Sequence, residues 1–252
     1  MEIYYTAVNE RGMELEENQD AVFCGSDGQA GIFMVADGMG GHEDGARASG
    51  VLEQNIQEWW EGYLAANQRP GFLQVVEQVK LVLSQSNTDI MNYTKQGQIC
   101  GSTVVVLWIE AGAWALFSCG DSRCYQMQEG MLSGKINLLT MDDVWENQQN
   151  NVAGMKPDEI KNHVNYGKLI RAVGVRKEFG CMMRSDIWHG KTNFALCSDG
   201  VYKYCGETFL KKHLRKTRKT KNLKACADKV KEEVYRNGAP DNLSLILIGA
   251  IE

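Results

Sequence analysis

Gly31-Ile32-Phe33-Met34-Val35-Ala36 is an apolar run of strand length that passes straight into Asp37-Gly38-Met39-Gly40-Gly41-His42. A carboxylate at the end of a buried strand is held by rigid backbone, which is the property a metal ligand needs. A glycine behind it lets backbone or ion approach closely and can leave a carbonyl free to coordinate. The arrangement recurs twice: residues 115–119 run into Gly120-Asp121, and residues 194–198 run into Asp199-Gly200. Asp20 stands immediately before the run 21–24, and Asp241 shortly before 243–248. Asp-Gly pairs are also ordinary turn formers after strands, and any one pair taken alone reads more readily that way. Several carboxylates at one sheet edge, however, repel one another unless cations lie between them. Hard divalent ions such as Mg²⁺ and Mn²⁺ prefer such oxygen ligands.

Outward from this stretch, runs rich in Val, Ile, Phe, Tyr and Trp predict strands at 3–8, 21–24, 31–36, 103–109, 113–118, 123–127, 194–197 and 243–248. Leu52, Ile56, Trp59 and Tyr63 recur at helical spacing, as do Leu73, Val76, Val79 and Leu83. A third helix is expected over 223–237, with Val230 and Val234 inward and Gly238 as its C-cap. Strands do not alternate regularly with helices, which disfavours a doubly wound parallel sheet. Mostly antiparallel sheets with helices outside fit the order better. Residues 147–167 are polar and without a clear period, an excursion from the core.

The chain has 252 residues, 44% hydrophobic and 23% charged, enough for a real core and a solvated surface. No stretch approaches the ~20 consecutive apolar residues of a membrane span, and Met1–Gly12 lacks the layout of a signal peptide. A cytoplasmic protein without a membrane partner is the expectation. A net charge of −5 argues against a general nucleic-acid binder. None of the eight cysteines forms a C-x-x-C pair, so reduced, buried thiols are expected. None has an arginine six residues on, which excludes a cysteine-dependent phosphatase site. There is no complete P-loop and no G-x-S-x-G elbow.

The segment from Val35 to His42, with Gly45 and Ala48-Ser49 behind it, resembles the bacterial branch of the PPM, or type 2C, serine/threonine protein phosphatases. Further elements follow in that family's order: Asn18-Gln19-Asp20-Ala21, Gly101-Ser102-Thr103, Gly120-Asp121-Ser122-Arg123, Arg171-Ala172-Val173-Gly174, Cys197-Ser198-Asp199-Gly200 and Asp241-Asn242. The resemblance covers nearly the whole chain. It implies one α+β domain over 1–252, a four-layer α-β-β-α sandwich of two mostly antiparallel sheets flanked by helices, with a flap at about 143–168. It implies that Asp37 bridges two Mg²⁺ or Mn²⁺ ions, with the Gly38 carbonyl on one and Asp199 and Asp241 on the other. Asp20 serves the second ion directly or through water, and Asp121 with Asp199 forms a third, weaker site. Asp37, Asp199 and Asp241 are then the catalytic set. The implied reaction is hydrolysis of phosphoserine and phosphothreonine on proteins by a metal-activated water, reversing a cognate serine/threonine kinase.

One departure stands out. The family usually carries a phosphate-clamping arginine five residues before the aspartate of N-E/Q-D; here that position is Leu15, with Arg11 nearby. The departure keeps a second class of function open, a weakly active or non-catalytic phosphoprotein-binding module. His42 invites a role as general acid, weighed against a structural polar contact. His163, His189 and His213 lack ligand-like spacing and are expected at the surface. The basic stretch 211–224 reads as a solvated helix end or a dock for an acidic partner.

Overall fold

The computed structural model describes residues 1–40, 42–94, 98–128, 136–217 and 221–251. In chain order the elements are β1 (Glu2–Glu10), β2 (Asp20–Ser26), β3 (Ala30–Gly40), α1 (His42–Ala65), α2 (Phe72–Tyr93), β4 (Cys100–Ser102), β5 (Val104–Glu110) and β6 (Ala113–Cys119). Then come β7 (Arg123–Gln128), β8 (Ile136–Leu138), a 3₁₀ turn at Trp145–Asn147, α3 (Gln149–Val152), α4 (Pro157–Lys161), β9 (Met182–Ile187) and β10 (Lys191–Cys197). The chain closes with α5 (Asp199–Cys205), α6 (Glu207–Thr217), α7 (Leu223–Arg236) and β11 (Leu243–Ile251).

Among these residues the strands form two sheets, ordered β1-β11-β10-β7-β8 and β2-β3-β5-β6-β9, with β4 on the end of β3. Their pairings are antiparallel. Side chains alternate faces along a strand. In β3, Phe33 and Val35 therefore point into the layer between the sheets, meeting Leu107, Phe194 and Ile246. Ile32, Met34 and Ala36 point the other way, against Leu52 and Ile56 of α1 and Val79 and Leu83 of α2. A strand buried on both faces reads as a continuous apolar run. On the far side, Val201, Leu210, Leu214, Val230 and Val234 of α5–α7 cover the sheet of β10 and β11. Each large apolar side chain buried this way contributes about 1.5–3 kcal/mol. The result is the α+β, α-β-β-α sandwich that the resemblance implies.

The differences from expectation have local causes. β3 does not stop at Ala36: it runs on to Gly40, and Gly38–Gly40 pair with β4. Asp37 is thus gripped from both sides. Helices α5 and α6 are separate elements that the sequence pattern does not resolve, and His213, expected at the surface, is instead buried within α6, its Nδ1 3.1 Å from the Phe209 carbonyl. His163 stacks on Trp145 at 4.0 Å between centroids. The excursion is pinned at its base by the bridge between Val144 and Leu169. The side chain of His42 lies outside the described residues, as do residues 218–220 of the basic stretch. The eight cysteines are free. Among the described residues no helix is long and apolar enough to cross a membrane.

Candidate metal centre

Five aspartates are carried to one end of the sandwich. Asp20 and Asp37 are direct partners in the β2–β3 register. Asp121 sits in the turn between β6 and β7, which Gly120 enters at φ +101°; a Cβ there would stand 2.7 Å from the Thr103 side chain. Asp199 opens α5 behind Ser198, and Asp241 precedes β11.

Hydrogen bonds fix the backbone beneath these acids. The Thr103 amide donates to the Asp37 carbonyl (2.8 Å), Ser102 Oγ donates to it (3.0 Å), and the Asp37 amide donates to Thr103 Oγ1 (3.1 Å). Ser198 Oγ donates to Asp20 Oδ2 at 2.8 Å and accepts from the Ser244 amide at 3.0 Å. Asn242 ties three segments. Its Oδ1 accepts from the Gln19 amide (2.8 Å), and its Nδ2 donates to the carbonyls of Arg11 (2.7 Å) and Glu17 (3.0 Å). Its own amide donates to Asp241 Oδ1 at 2.9 Å. Arg123 is spent on structure: it pairs with Asp142 at 2.7 Å and lies 3.7 Å from the centre of the Tyr202 ring, whose hydroxyl donates to the Asp121 carbonyl.

Gly38 is required by space. Its amide donates to the Gln19 carbonyl at 3.0 Å, and a Cβ would stand 2.1 Å from the Gly45 carbonyl oxygen and 2.7 Å from that of Gln19. Both obstacles are backbone, so the strand or the start of α1 must move. Gly38→Ala is therefore expected to cost at least the ~1–3 kcal/mol of ordinary overpacking. For a chain of this size that lowers the melting temperature by about 2–4 °C per kcal/mol. Differential scanning calorimetry checks it, and an unchanged transition would contradict the close approach.

The electrostatics are those of a crowded anionic site. Burial raises the Asp37 carboxyl well above its ordinary value, and the charges of Asp20, Asp199, Asp121 and Asp241 raise it further. Asp20 is pushed up to about 7 by burial and by Asp199 and Asp241, against the lowering effect of Ser244 and Ser198. Asp121 is pushed up to about 6 by burial and Asp199, with Lys203 opposing. Asp241 is raised by burial and Asp199. Two buried carboxylate oxygens of the site, Asp20 Oδ1 and Asp199 Oδ1, have no hydrogen-bond partner among the described residues. Such orphans are costly unless a cation satisfies them.

Of the residues expected to bind metal, Asp20, Asp121, Asp199 and Asp241 thus lie within electrostatic reach of Asp37, with Gly38 beside it. Among the described residues, no three His, Cys, Asp or Glu side chains already stand round a common point. The donor set is nevertheless all oxygen, anionic and short of partners, which fits Mg²⁺ or Mn²⁺. Asn242, Ser198 and Lys203 take part in the site as well, through contacts that no local sequence pattern signals. Leu15 is exposed and lines a groove of about 380 Å³ with Glu14, Glu16, Glu17, Gln19 and Gly40. Arg11 Nη1 donates to the Glu16 carbonyl at 3.1 Å.

Comparison with known proteins gives a consistent picture. The family described as protein phosphatase 2C matches residues 14–236. The serine/threonine phosphatase stp of Listeria monocytogenes is 27% identical over 248 residues, covering 95% of this chain and 92% of that protein. Among solved structures, the serine/threonine phosphatase of S. agalactiae superposes with a TM-score of 0.82 at 18% identity, covering 99% of this chain and 100% of the other. The catalytic domain of the phosphatase PstP in complex with two manganese ions does so with a TM-score of 0.76 at 20% identity, covering 99% of each chain.

Proposed function

The chain belongs to the protein phosphatase 2C family, and from that premise we propose that it hydrolyses phosphoserine and phosphothreonine on proteins with the help of Mg²⁺ or Mn²⁺. The observation that carries this reading is the cluster of Asp20 and Asp121, buried, with Asp37, Asp199 and Asp241, partly buried, in which two carboxylate oxygens lack a hydrogen-bond partner among the described residues. Asp37, the Gly38 carbonyl, Asp199 and Asp241 would hold two central ions, with Asp20 serving one directly or through water. When bound, such ions supply a water acidic enough to attack at neutral pH and positive charge for the phosphoryl oxygens.

The protein's own residues do the positioning. Ser102 and Thr103 fix the backbone of Asp37, and Asn242 locks Asp241 and Gln19 to each other. Ser198 orients Asp20 by holding one of its oxygens. The third, weaker ion of the resemblance needs Asp121 and Asp199, a pair that Lys203 already touches. One domain with a flap at 143–168 beside the site, a cytoplasmic location, and a cognate serine/threonine kinase complete the proposal, with no membrane or nucleic-acid partner. The decisive assay is Mn²⁺-dependent turnover of p-nitrophenyl phosphate and of a phosphothreonine peptide. Phosphopeptide binding without turnover would favour the non-catalytic module instead.

Leu15 bears on that alternative, because the groove it lines carries three glutamates and, among the described residues, no arginine. A charge-assisted hydrogen bond to phosphate is commonly worth ~1.5–3 kcal/mol, or roughly ten- to a hundredfold in capture. Leu15→Arg is accordingly expected to lower KM for a small phosphate ester and to strengthen inhibition by inorganic phosphate, with kcat little changed. Arg11→Ala is expected to leave KM alone, since that guanidinium is engaged by Glu16. The opposite pattern would identify Arg11 as the clamp.

A further inference from the structure

Asp199 and Lys203 are one turn apart on α5, the spacing at which helical side chains meet. Lys203 Nζ lies 2.5 Å from Asp199 Oδ2 and 3.6 Å from Asp121 Oδ2. The two acids are largely buried, with side chains 15% and 6% exposed, while the lysine side chain is 46% exposed. The ammonium thus reaches from the surface into the space between two inward carboxylates. These are the two carboxylates that the resemblance assigns to a third divalent ion.

We propose that the Lys203 ammonium is a tethered cation that takes the place of this third ion, so that the chain holds two divalent ions rather than three. The inference rests on the metal centre proposed above. A lysine ammonium is a compact point charge with three donors. Fixed on the same helix as Asp199, it acts at an effective concentration that short tethers bring into the millimolar range, against which a weakly held free ion competes poorly. The arrangement leaves the central pair alone, because only one oxygen of Asp199 is engaged. Its Oδ1 is buried and has no hydrogen-bond partner among the described residues, and so remains for a central ion. Arg123 is not a substitute, since it is committed to Asp142 and Tyr202.

The test counts Mn²⁺ by equilibrium dialysis, with no substrate present. Wild type is expected to bind two ions per chain at saturation, and Lys203→Gln to gain one further, weaker ion. Lys203→Arg, which keeps the charge, should remain at two. Asp121→Asn should also stay at two, because in the wild type that carboxylate faces an ammonium and not a metal. Three ions in the wild type, falling to two in Asp121→Asn, would overturn the inference while leaving the central pair intact. So would a Lys203→Gln count that stays at two. Failure to bind any Mn²⁺ would remove the metal centre itself, and this inference with it.

Discussion

Asp37→Asn is expected to lower Mn²⁺-dependent turnover of a phosphothreonine peptide by more than about 10²–10³-fold, the loss seen when a single transition-state hydrogen-bond donor is removed. The expected loss is larger than that benchmark because Asp37 would help to hold both central ions, so its charge is lost to the whole pair. Its fold should survive. Ser102 and Thr103 grip the backbone of residue 37, and asparagine leaves that grip in place. Stability should even rise in the metal-free protein, since a carboxyl held well above its ordinary value by burial and four neighbouring aspartates is a destabilising one at neutral pH. Asp199→Asn and Asp241→Asn should lose activity in the same way. Steady-state kinetics beside calorimetry separate loss of chemistry from loss of fold. Near-normal hydrolysis by Asp37→Asn would end the two-ion reading.

How much of this was legible depended on where each residue sits. β3, β5, β6, β10 and β11 lie inside the sandwich with apolar neighbours on both faces, so they announce themselves as unbroken apolar runs. β9, by contrast, is Met-Met-Arg-Ser-Asp-Ile, exposed over most of its length and, among the described residues, an edge strand paired only with β6. Nothing in its composition distinguishes it from a loop. β4 and β8 are three residues each, too short for a period to appear. Helix α6 does carry an inward face in Leu210, His213, Leu214 and Thr217 at i, i+3, i+4 and i+7. Its lysines and arginine made it read as a charge run, and a histidine on the buried face concealed the pattern further.

The site divides along the same line. The aspartates were legible because an acid directly after a buried run is a local signal. The residues that hold them were not, because their contacts join segments far apart in the chain. Asn242 reaches Gln19 and Arg11 from the other end of the sequence, and Ser198 reaches Asp20 across the gap between the two sheets. Lys203 meets Asp199 as an i,i+4 partner because residues 199–205 are helical, which their composition does not announce.

Metal removal should both abolish turnover and expose a pH-dependent loss of stability. Asp20 at about 7 and Asp121 at about 6 stand above the ordinary ~3.9 of an unfolded aspartate. Between those values the folded chain binds more protons than the unfolded one, so stability falls as pH rises. The contribution is fully present below about pH 4 and is lost as pH passes the folded values near 6 and 7. Divalent ions act in the opposite sense. They require ionised carboxylates, so they bind better as pH rises, and they stabilise whatever state they bind. In EDTA the melting temperature is therefore expected to drop between pH 5 and pH 8, and the increase on adding Mn²⁺ to grow over the same interval. Asp20→Asn removes one contributor and should flatten the EDTA curve. A melting temperature that rises with pH in EDTA, or a Mn²⁺ increment independent of pH, would mean that these carboxylates are not the groups the ions neutralise.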